Sequence, residues 1–104
     1  THDFANNVKS LLDKELWGLY NMVCSGVTGR FEVTQELIKV LGMTDVIKIT
    51  PVQSDYWKKE YFAERPSSER LINKKLELRG LNQMRDWRIC LSEYIKHYYQ
   101  EYLD

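Results

Sequence analysis

LYNMVCSGVTGRFEVTQELIKVLG, residues 19–42, is the stretch on which the fold turns. Its first seven residues form a short, largely apolar run bounded by Gly18 and Gly26. Such a run predicts a buried strand. GVTG follows as a turn. From Arg30 onward the period changes: Val33, Leu37, Val40 and Leu41 recur at i, i+4, i+7 and i+8, which predicts a helix over 30–41 with Gly42 as its C′ residue. Strand, turn and helix in immediate succession point to a layered domain of mixed class.

The flanking sequence extends this pattern. Phe4, Val8, Leu11 and Leu12 define one face of a helix over 3–14, with Asp3 as N-cap or first-turn acid. DVIKITPV, residues 45–52, is rich in β-branched residues and predicts a second strand, with Pro51 placing its end near an edge. Arg70, Leu71 and Ile72 allow a third, short strand. Asn73 is a suitable N-cap for a helix over 74–78, closed by Gly80. The last helix starts near Asp86 and places Trp87, Leu91, Tyr94, Ile95, Tyr98 and Tyr102 on one stripe, opposite Arg88, Glu93, Lys96 and Gln100. The expected fold class is α/β (α+β): a small two- to three-stranded sheet with about four helices, forming a single domain over 1–104.

Composition narrows the function. Fifteen basic and fifteen acidic residues give zero formal charge, which argues against a general nucleic-acid surface. No apolar run reaches the roughly 18 residues of a membrane span. Cys24 and Cys90 are far apart in sequence and fit core thiols of a cytoplasmic protein better than a disulfide framework. His2 and His97 do not pair with them at metal-ligand spacing, so no metal is expected. There is no Gly-x-Gly-x-x-Gly and no phosphate-binding Gly-Lys-Ser/Thr loop. SGVTG fits either a tight turn or a weak anion-binding turn at a helix start. The Trp/Tyr stripe of the last helix reads as core, and the pairs Lys58–Lys59 and Lys74–Lys75 read as solvated. The chain opens at Thr1 directly into a helix, which suggests a piece of a longer protein or a processed chain.

Residues 53–70 have no clean period. Tyr56, Trp57, Tyr61 and Phe62 lie among charges and lead to Arg65–Pro66. Pro66 fixes its own φ and biases Arg65 toward extended backbone. A guanidinium restrained in this way suits phosphate or carboxylate oxygens. The same residues also fit a surface ion pair of Arg65 with Glu64 or Glu69, worth little.

Three segments in order carry a resemblance. Residues 18–42, the segment AERPSSERLINKKLELRGL and the closing MRDWRICLSEYI resemble the C-terminal part of extended short-chain dehydrogenase/reductases, nearest to dTDP-4-dehydrorhamnose reductase and related nucleotide-sugar reductases. HDFANNVKSLL is similar to the helix that precedes the strand in that family, so the likeness covers nearly the whole chain. It implies a division of labour. An N-terminal Rossmann domain would bind NADPH or NADH and carry the catalytic Tyr-x-x-x-Lys, while this chain would cover the nucleotide-sugar substrate, as in dTDP-rhamnose biosynthesis. No Tyr-x-x-x-Lys stands in this sequence, so no catalytic or cofactor-binding residue is expected in it. The implied substrate-binding residues are Arg65, Pro66, Tyr61, Phe62 and Ser68. Two positions depart from the pattern. Ser68 and Glu69 stand where Asn and Ser are frequent, and Gly29 replaces the helix-capping Ser, whereas Glu32 matches the first-turn acid. An epimerase or dehydratase substrate domain and a non-catalytic regulatory relative are the alternatives.

Overall fold

The computed structural model describes residues 2–56, 66–99 and 101. Among the described residues four helices follow one another: α1 (His2–Asp13), α2 (Arg30–Val40), α3 (Lys74–Leu78) and α4 (Trp87–Tyr98). The helix starts follow from local chemistry. Asp86 caps α4 by accepting from the Arg88 N–H at 2.9 Å. Gly29 has no capping oxygen, and Glu32 compensates by folding its carboxylate back onto the Gly29 N–H at 3.0 Å.

The expected sheet is not formed. Among the described residues there is no strand, only an isolated parallel bridge between Ser25 and Asp86. It consists of Ser25 N–H to the Arg85 carbonyl at 3.0 Å and Trp87 N–H to the Ser25 carbonyl at 3.2 Å. Residues 19–24 form no regular element, and Leu19 is 88% exposed with no strand beside it. A side chain takes the role of a neighbouring strand instead. The Val23 N–H donates to Asn73 Oδ1 at 2.9 Å, and Asn73 Nδ2 donates to the Val23 carbonyl at 2.7 Å. Asn73 is therefore buried as a clamp and makes no side-chain cap for α3. The second expected strand fails for a different reason. The N–H groups of Val46 and Ile47 both donate to the Met43 carbonyl, at 3.1 and 2.9 Å, so the chain turns at the exit of α2. Leu71 and Ile72 are likewise exposed and unladdered.

Packing is thin. The Cα radius of gyration is 17.2 Å, against roughly 13 Å for a compact chain of this length, and the narrowest dimension is 19 Å. A plate of that thickness leaves few positions out of water. Ile38 of α2, Leu76 of α3 and Trp87 and Ile95 of α4 are the buried apolar side chains among the described residues. α2 packs against α4. α1 docks differently from its apolar stripe: Phe4 and Leu12 are exposed, while Asp3 and Asn7 are buried. Asn7 Nδ2 donates to the Asp3 carbonyl, and Asn7 Oδ1 accepts from the Gln83 N–H at 3.1 Å. The helix is thus held to the 83–85 segment by polar groups that would be costly to bury unpaired.

Candidate anion-binding groove

The clamp on Val23 places residues 19–21 alongside α3. On α3, Lys75 and Arg79 are one turn apart and face the same way. Both converge on Tyr20. Lys75 Nζ sits 4.4 Å from the Tyr20 ring centroid, and the Arg79 guanidinium carbon lies 5.6 Å from it. Arg79 also donates to the Tyr20 hydroxyl at 2.6 Å, and Lys75 to the Leu19 carbonyl at 3.3 Å. These acceptors are neutral. Among the described residues no carboxylate pairs with Lys74 and Lys75 of α3 or with Arg79 at its C-cap.

Leu19, Asn21, Lys74, Lys75 and Leu78 line a groove of about 260 Å³. Leu19 and Leu78 give it apolar walls, and Lys74 and Lys75 border it. Asn21 Nδ2 donates to the Ile72 carbonyl at 3.2 Å. That bond ties the groove wall to the segment just before α3. An anion with an apolar portion suits this arrangement.

A second cavity, about 460 Å³, lies between α1 and α4, with Asp3, Arg85, Cys90, Glu93, Tyr94 and Tyr98 in its wall. Its arginine is already paired, whereas Lys96, which lines it together with His2 and His97, has no carboxylate partner among the described residues. Arg85 Nε and Nη2 donate to the Asp3 carboxylate at 2.9 and 2.8 Å, while Nη1 and Nη2 reach Glu93 at 2.7 and 2.6 Å. The guanidinium hydrogen bonds hold the Asp3 carboxyl well below the usual carboxylate range, and they lower Glu93 as well. Two ionised carboxylates around one guanidinium make a poor seat for a phosphate. The turn before α2 is no better suited, because the Glu32 carboxylate already occupies the Gly29 N–H.

The sulfurs of Cys24 and Cys90 are 3.8 Å apart, the Cys24 thiol donating to Cys90. The Cys90 thiol donates to Asp3 Oδ2 at 3.2 Å. Burial and that carboxylate push the Cys90 thiol up to about 12. Both cysteines are free and half-buried. Among the described residues no group of three or more His, Cys, Asp and Glu could hold a metal ion.

Of the residues that sequence reasoning put forward, Tyr61, Phe62 and Arg65 lie outside the described residues. Pro66 and Ser68 are exposed on the strand-less segment that runs back to Asn73. Sequence reasoning read Lys74–Lys75 only as a solvated pair and did not single out Arg79 or Tyr20. The i, i+4 spacing of Lys75 and Arg79 was a visible signal, but the residue they meet is set by tertiary placement. The aromatic stripe of α4 is only partly core: Trp87 and Ile95 are buried, whereas Tyr94 and Tyr98 are exposed in the wall of the second cavity.

The family described as RmlD substrate binding domain matches residues 1–100. No curated protein and no solved structure matches the chain. The chain belongs to that family and is a substrate-binding domain of the dTDP-4-dehydrorhamnose reductase type. Membership implies a nucleotide-sugar substrate and a partner catalytic domain. No helix among the described residues is long and apolar enough to cross a membrane.

Proposed function

We propose that this domain holds the diphosphate of a dTDP-sugar in the groove of Lys74, Lys75 and Arg79, with Arg65 closing on the same oxygens from the adjoining loop. Tyr61 and Phe62 wall the pocket, Pro66 restrains the arginine and the Ser68 hydroxyl meets the sugar. The observation that supports this reading is the pair of cations on Tyr20, Lys75 and Arg79, which have no carboxylate partner among the described residues. The parent enzyme reduces a 4-keto sugar nucleotide in dTDP-rhamnose biosynthesis, in the cytoplasm.

The cofactor, NADPH or NADH, is assigned to the catalytic domain. Among the described residues, the glycine turn before α2 already has the Glu32 carboxylate on its Gly29 N–H. When bound on the catalytic domain, the nicotinamide supplies the hydride. The work of this chain is to anchor the remote diphosphate, so that binding energy is spent on orienting the sugar carbonyl.

Titration of the 104-residue chain with dTDP and with thymidine tests the reading. The expected affinity for dTDP is on the order of 1 mM, about −4 kcal/mol, with thymidine weaker. Lys75→Ala and Arg65→Ala should each weaken dTDP several-fold while circular dichroism stays unchanged. Equal binding of dTDP and thymidine, or variants that bind dTDP as well as the parent chain, would refute it.

A further inference from the structure

We propose that Cys24 and Cys90 are a redox modification site, forming a reversible intramolecular disulfide that locks the 19–25 segment, one wall of the groove, onto α4. The two sulfurs already touch at 3.8 Å although the residues are 66 apart in sequence. Closing to a disulfide bond of about 2.05 Å requires a shift of less than about 2 Å, within reach of side-chain rotation. The backbone near the two thiols is already tied together. Ser25, next to Cys24, is hydrogen-bonded to Arg85 and Trp87 at the start of the helix that carries Cys90. Cys24 is only half-buried, and Cys90 lines the open cavity between α1 and α4.

The two thiols have different roles. Cys90 is held protonated by its bond to Asp3 and by burial, so it is a poor first nucleophile. Cys24 donates only to the Cys90 sulfur and reacts first. With a small-molecule disulfide such as oxidised glutathione as oxidant, the Cys24 thiolate attacks one sulfur and releases one glutathione thiolate. Cys90 then attacks Cys24 Sγ and releases the second. The two thiol protons pass to the two released thiolates, so two protein thiols are oxidised as one disulfide is reduced to two thiols. Cys90 thereby ceases to be a donor to Asp3, whose carboxylate keeps its bonds from Arg85.

The experiment exposes the full chain to oxidised glutathione and reads intact mass and peptide maps, with Cys24→Ser and Cys90→Ser alongside. The expected product of the parent chain is a monomer lighter by two hydrogens, with residues 24 and 90 in one cross-linked peptide pair and no glutathione retained. Cys90→Ser should stop at a glutathione adduct on Cys24, and Cys24→Ser should react markedly more slowly. Hydrogen exchange at residues 19–25 should slow several-fold on oxidation and recover on reduction. A stable glutathione adduct on the parent chain, cross-linking between chains, or faster modification of Cys90 than of Cys24 would overturn the proposal. None of these readouts depends on nucleotide binding.

Discussion

Asn73 grips the backbone of Val23 from both sides, its amide oxygen 2.9 Å from the Val23 nitrogen and its amide nitrogen 2.7 Å from the Val23 oxygen. A neighbouring strand would make the same pair of bonds, and here one buried side chain makes both. Asn73 Nδ2 also reaches Asn82 Oδ1 at 3.1 Å, so the clamp ties together the 19–25 segment, α3 and the chain that leads to α4. The position of Tyr20 against Lys75 and Arg79 depends on it.

Replacing Asn73 with Ala leaves the Val23 N–H and carbonyl without their protein partners. The expected cost is about 1–3 kcal/mol, measured as a lowered urea midpoint with an unchanged slope. Amide exchange at residues 19–25 should accelerate before the rest of the chain opens. Uniform acceleration across all four helices would show that the clamp is not local.

Gly26 should tolerate no side chain. Its φ is +86°, and an added Cβ would stand 2.8 Å from Asp86 Oδ2 and 2.9 Å from Trp87 Cδ1. Gly42 has φ +66° but open space around it. Gly42→Ala should therefore cost only the left-handed strain, about 1–2 kcal/mol, and Gly26→Ala clearly more. Chemical denaturation of the two variants side by side provides the comparison, and equal costs would contradict the crowding at Trp87.

Acid should unfold the protein through Asp3 and Glu93. Both carboxyls are lowered in the folded state by the Arg85 hydrogen bonds. Their contribution is therefore complete above the ordinary carboxylate range, about pH 4, and is lost as pH falls below it, because the unfolded chain takes up protons that the native state refuses. Stability against pH should be flatter on the acid side in Asp3→Asn than in the parent chain. At neutral pH, Asp3→Asn should itself cost about 1–3 kcal/mol, because the partially buried site loses its charge-assisted bonds.

The alkaline side belongs to Cys90. Its thiol is raised from 9.0 to about 12 in the folded state. Its contribution is complete below about pH 9 and is lost between about 9 and 12, where the unfolded chain releases the proton first. A stability profile over that window should be flatter in Cys90→Ala. An identical slope in both proteins would remove Asp3 and burial as the cause.

The helices were legible because their signals are local. The Gly29–Glu32 start of α2, the Asp86 cap of α4 and the short run of α3 needed nothing from afar. The face of α1 was not legible: the apolar period points to Phe4 and Leu12, but the helix docks through Asp3 and Asn7, whose partners Arg85 and Gln83 lie at the other end of the chain. The strands misled for a physical reason. β-branched residues favour a ladder only when a second edge is present. Residues 19–25 meet an amide instead, and the donors of Val46 and Ile47 are taken by Met43. At the candidate site, Arg65 lies outside the described residues, and its reading as anion chemistry rests on residue type alone. The contribution of Lys75 and Arg79 was not legible, because Tyr20 reaches them only after the Val23 clamp is made.

Chemical-shift mapping with dTDP is the most direct measurement of the central claim, that the α3 groove and the adjoining loop hold the diphosphate. The account predicts saturable shifts at residues 19–21, 66–70 and 74–79, abolished by Lys75→Ala with Arg79→Ala. Shifts confined to His2, Asp3, Tyr94 and Tyr98, at the cavity between α1 and α4, would contradict it.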